Sequence, residues 1–130
     1  MAMTLNVNTG IQIVSGTAVF NWPNATTTVT ASGSHVYQNS QDIPTTSSGT
    51  ALVVGAGVAT LGWALFLNLD ATNFVDIGLQ VSGTFYPLMR CPPFLAGKSP
   101  PAQLRITPGI TLYARADTAI CTLQYAIIEN

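Results

Sequence analysis

The sequence predicts an all-β protein: an antiparallel β-sandwich or jelly roll of about eight to ten short strands. Three observations predict it. Short runs rich in Val, Ile, Thr and aromatic residues recur along the 130 residues, with Gly, Pro, Asn and Asp between them. Several of these runs alternate apolar and polar residues, as a strand with one buried face does. No segment sustains the period of an amphipathic helix. The length suits one domain. Residues 1–130 are therefore expected to form a single sandwich, with residues 1–10 as an N-terminal arm or edge strand.

Taken in order, Ile11–Val14 and Thr17–Trp22 are two short β-rich runs around a Ser15-Gly16 hairpin corner. Pro23-Asn24 should end the second, because proline has no amide to give a ladder. Thr26–Ala31 is a β-branched run, and Gly33-Ser34 turns into His35–Gln38. Residues 39–50, NSQDIPTTSSGT, suggest one long exposed loop. Ala59–Leu69 is the next strand and ends at Asp70-Ala71-Thr72-Asn73, where acid and amide side chains can cap a tight turn. In Phe74–Val81, Val75, Ile77, Leu79 and Val81 share one face, and Phe74, Asp76, Gly78 and Gln80 the other. Ser82-Gly83 turns into Thr84–Met89, which Cys91-Pro92-Pro93 breaks. Gly97–Pro101 is an exposed corner, Gln103–Ile106 a short strand, and Ile110–Arg115 with Ala119–Ile128 the closing pair.

Residues 51–69 carry no charge over a length sufficient for a membrane-spanning helix. Gly55, Gly57 and Gly62 weaken such a helix by about 1 kcal/mol each relative to alanine. No Lys or Arg lies nearby to orient one. The alternation of Leu61, Trp63, Leu65 and Leu67 against Gly62, Ala64, Phe66 and Asn68 fits a strand instead. Trp63 is then expected inward and Phe66 outward, against a second layer or subunit. No membrane association is expected.

Hydrophobic residues make up 48% of the chain and charged residues only 7%, against about 25% charged in a typical soluble domain. Disorder is excluded, since disordered chains are charge-rich and poor in apolar residues. A surface this poor in ions resists self-aggregation badly, which implies that much of it faces other protein. The four basic residues, Arg90, Lys98, Arg105 and Arg115, are too scattered to bind nucleic acid through its phosphates. None precedes Arg90, so no secretory leader, which needs a basic start, is expected. Synthesis and assembly in a cytoplasm are expected, and Cys91 and Cys121 are read as buried thiols rather than a disulfide.

Catalytic patterns are missing. The single histidine, His35, has Ser34 and Asp42 near it in sequence but no nucleophile elbow. Cys91, Cys121 and His35 lack zinc-site spacing. Asp70, Asn73 and Asp76 form an oxygen-rich turn without the calcium-loop pattern, so a carboxylate capping its own turn is preferred. No enzyme activity, cofactor or metal is expected. A small carbohydrate-binding module, using aromatic residues on one face, is a competing class.

Three of the four cations are arginine, and the chain has one Lys and one Glu. Interfaces favour arginine and aromatic residues and deplete lysine and glutamate. The candidate protein–protein interface residues are Trp22, Phe66, Tyr86, Arg90, Phe94, Arg105 and Arg115.

The stretch Trp63–Val81, WALFLNLDATNFVDIGLQV, is followed by Tyr86-Pro87-Leu88-Met89-Arg90 and by ITPGITLYARADTA at 106–119. These segments resemble small β-sandwich virion proteins of tailed bacteriophages. The resemblance covers the C-terminal half and brings no catalytic residues. It implies a virion structural protein made in the host cytoplasm: a head decoration, or cement, protein first, and a neck or tail component second. Its implied partners are the major capsid protein and further copies of itself, as a homotrimer or another symmetric oligomer.

Overall fold

The computed structural model describes residues 3–15, 18–31, 35–94, 102–107 and 109–129, with side chains over 35–94, 104–107 and 109–129. All regular structure among them is β-strand. The chain divides into two compact units, Met1–Ser34 and His35–Asn130.

The first unit is a two-stranded antiparallel sheet of β1 (Met3–Ser15) and β2 (Ala18–Ala31). The expected corner joins them, although Gly16 and Thr17 lie outside the described residues. Pro23 does not end β2, contrary to expectation. Pairing steps from Thr9–Ala25 to Ile11–Trp22, so Pro23 and Asn24 lie where the register shifts. Such a bulge tolerates proline because the extra residue has no ladder bond to give. The register pairs Leu5 with Val29, Ile11 with Trp22 and Ile13 with Phe20, while Asn6 meets Thr28 and Gln12 meets Asn21.

The second unit is a β-sandwich of two four-stranded antiparallel sheets. One is ordered β3 (Val36–Ile43), β10 (Cys121–Glu129), β5 (Leu61–Asn68), β8 (Ala102–Arg105). The other is ordered β4 (Thr50–Ala51), β9 (Tyr113–Ala116), β6 (Val75–Val81), β7 (Thr84–Cys91). Between them lie Ile43, Phe66, Leu123, Tyr125 and Ile127 from the first sheet and Val75, Ile77 and Ala114 from the second. Each large aliphatic or aromatic side chain so buried stabilises the fold by about 1.5–3 kcal/mol. Gly97–Pro101, the expected corner, lies outside the described residues.

Two elements depart from expectation, each for a visible reason. The loop expected over 39–50 is strand as far as Ile43. Its inward positions include Asn39 and Gln41, which look like loop residues in sequence. Inside the sandwich they are satisfied: Asn39 donates to the Tyr125 hydroxyl at 3.1 Å, and that hydroxyl lies 3.0 Å from Gln41 Oε1. The Gln41 amide also donates to the Ala51 carbonyl and accepts from the Val53 amide, tying the edges of the two sheets together.

Strand β5 forms as expected, but its faces are exchanged. Gly62, Ala64, Phe66 and Asn68 are buried, whereas Leu61, Trp63, Leu65 and Leu67 are half-buried. Phe66 is 1% exposed and cannot be an outward interface residue. The small Gly62 and Ala64 leave room for the opposite sheet, and Asn68 is buried because its amide is fully employed. It donates to the carbonyls of Asn73 at 2.7 Å and Pro92 at 3.2 Å, and accepts from the Asp70 amide at 3.0 Å. Among the described residues no helix is long and apolar enough to cross a membrane.

Candidate functional site

Strand β6 puts Val75 and Ile77 into the core at 0% exposure. Alternation therefore turns Asp76 to the opposite face of the sheet. There it meets one residue from each neighbouring strand, Arg90 on β7 and Arg115 on β9. Arg90 Nε lies 2.9 Å from Asp76 Oδ1 and its Nη2 3.3 Å from Oδ2, a two-point grip on the carboxylate. Arg115 Nη2 stands 3.6 Å from Oδ2. Asp76 is 4% exposed, and two guanidinium groups offset the cost of burying its charge.

Aromatic rings fix both arginines. The Arg90 guanidinium lies 3.4 Å from the centre of the Phe74 ring, and that of Arg115 4.9 Å from the centre of Phe85. Phe85 is itself held by the segment between β3 and β4. A Cβ at Gly49 would stand 2.7 Å from Phe85 Cδ2, and Gln80 Nε2 donates to the Ser48 carbonyl at 2.9 Å. The result is a cleft of about 250 Å³ lined by Thr45, Ser47, Phe74, Asp76, Arg90, Arg115, Ala116 and Asp117.

Of the residues singled out by sequence, Arg90 and Arg115 are brought together here. Tyr86 is 52% exposed on β7, near Val81 at 58% and Leu88 at 56%, an apolar lip at the β6–β7 hairpin. Arg105 is exposed at the end of β8, opposite Trp63. Phe94 is half-buried, with its amide bonded to the Asp70 carbonyl at 2.6 Å. Trp22 pairs with Ile11 in the ribbon, and its side chain lies outside the described residues. Sequence reasoning missed Asp76 as the carboxylate between two arginines, together with Phe74, Thr45 and Ser47. The opposite-face position of Asp76 was legible in the alternation of β6. Its partner Arg90 was not, because counting back from the Ser82-Gly83 turn puts Met89 there and a bulge supplies the extra residue.

The other candidate chemistry has structural explanations. Asp70 Oδ1 accepts from the Thr72 amide at 2.8 Å and from both the amide and side chain of Asn73. These bonds, the backbone ones foremost, hold its carboxyl below the usual carboxylate range. Cys91 and Cys121 are free and buried. Burial first, and then the Asp76 charge, pushes the Cys91 thiol up to about 12, so it is not a nucleophile at neutral pH. The described residues contain no cluster of three or more His, Cys, Asp or Glu able to hold a metal. No family model matches the chain, and neither a curated protein nor a solved structure does.

Proposed function

We propose that this chain is a non-enzymatic structural protein that acts through lasting contact with other protein, and specifically a decoration protein that binds and stabilises a bacteriophage head. A neck or tail component of the virion is the second reading. The observation that carries the assembly role is the ribbon of Met3–Ala31, a sheet of two strands only. A two-stranded hairpin by itself is marginal in water, and one of this length gains stability from a further surface packed against it. The low charge content and the exposed Val81, Tyr86 and Leu88 favour the same role. The assignment to a virion rests on the resemblance of the C-terminal half alone.

A protein that binds only the assembled lattice stabilises it by mass action. The test is sedimentation of the purified chain, alone and mixed with purified tailed-phage heads. An oligomer, or a monomer that co-sediments with heads, is expected. A monomer that does neither overturns the assembly reading, and a label found only at necks or tails in electron micrographs overturns the head assignment.

A further inference from the structure

The cleft beside Asp76 holds more cationic donors than the described residues satisfy. Each guanidinium carries five N–H groups. Arg90 uses two of its nitrogens on Asp76. Arg115 has its nearest ionic contact among the described residues at 3.6 Å, outside hydrogen-bond range, although its side chain is only 33% exposed. A guanidinium that has lost most of its water without gaining a close acceptor is an incomplete arrangement, and an incoming oxygen anion completes it. Its position over Phe85, with Phe85 clamped by Gly49, means that little freedom is lost on binding.

The charges select the ligand. Arg90 and Arg115 are balanced by Asp76 and Asp117, so the cleft is neutral when empty and each added negative charge works against the two carboxylates. A monoanion seated on Arg115 meets that opposition once and a phosphate dianion twice, so the smaller charge is favoured. The planar fork of arginine matches a carboxylate, and Thr45 and Ser47 line the same cleft as hydroxyl donors. A volume of about 250 Å³ suits a side chain rather than a nucleotide.

We infer that this cleft is a carboxylate-binding site that takes a Glu or Asp side chain presented by a partner protein, with Arg115 as the anchor and Thr45 and Ser47 as additional donors. This deepens the assembly reading by naming the chemistry of one contact, yet its test involves neither heads nor oligomers, so the two can fail separately. The full chain, labelled with ¹⁵N, is titrated at constant ionic strength. The probes are N-acetyl-glutamate amide, N-acetyl-glutamine amide, N-acetylglycine and inorganic phosphate, and the readout is the arginine Nε–H resonances. The blocked glutamate should shift Arg115 saturably and bind at least fivefold more tightly than any other probe. Arg115→Lys should weaken it at least fivefold, Thr45→Ala with Ser47→Ala at least twofold, and Asp117→Asn should tighten it. Should Arg115→Lys not fold, the Thr45/Ser47 pair and Asp117→Asn decide. A non-saturable shift, equal binding by the glutamine probe, or tighter binding of phosphate or of N-acetylglycine overturns the inference.

Discussion

Asp70 organises the β5–β6 turn by accepting three N–H bonds on one oxygen. Those bonds favour the ionised form, so the native state takes up this proton less readily than the unfolded chain. The sign follows: the contribution is complete above the unfolded value of 3.8 and is lost as pH falls through the lower native value. Urea unfolding of the wild type should therefore show a falling midpoint below about pH 4. Asp70→Asn should be less stable at pH 7 and show a flatter decline over the same acid range. Parallel curves for the two proteins would mean that another carboxylate sets the acid sensitivity. The turn was legible from Asp70 and Asn73 as capping residues. The burial of Asn68 was not, because its partners are carbonyls supplied by Asn73 and by the chain just past β7.

At the scale of elements, the β6–β7 hairpin decides whether the arginine pair exists. Ser82 and Gly83 both have positive φ, 49° and 82°, the two-residue turn whose twist suits a hairpin. Past it the register shifts between Ile77 and Gly78, and Arg90 rather than Met89 arrives opposite Asp76. Gly78 allows the strands to approach at that shift, since a Cβ there would run into the Tyr86 carbonyl and the Pro87 backbone. Backbone cannot yield as a flexible side chain can. Gly78→Ala should cost about 3 kcal/mol, measured by denaturant unfolding. A loss below about 1 kcal/mol would show that the bulge relaxes. The hairpin was readable from its turn and alternation. The bulge was missed although Gly78 and Pro87, residue types that mark one, stand opposite each other at it, and the polar interior of β3 concealed a strand as a loop. The inward side of β5 was misjudged because Trp63 and Phe66 are both apolar, and bulk alone does not say which one the opposing sheet accommodates.

For the molecule as a whole, the alternating pattern sufficed to predict two packed antiparallel sheets, but the extent of the N-terminal ribbon was hidden by Pro23 and by the Thr and Asn content of its strands. The division at Ser34 implies that the sandwich carries its own core. A chain beginning at His35 should keep a β-type circular dichroism spectrum and melt within about 4 °C of the full chain, while losing self-association or head binding. A truncated chain that no longer melts cooperatively would mean that the sandwich depends on the ribbon.

Strand β10 occupies the middle of its sheet, between β3 and β5, which are made well before it. About sixty residues separate the end of β5 from the end of β10, a delay of several seconds at ~5–20 residues per second on the ribosome. Throughout that interval β3 and β5 lack the neighbour that joins them, so the sandwich cannot close before β10 itself has been made.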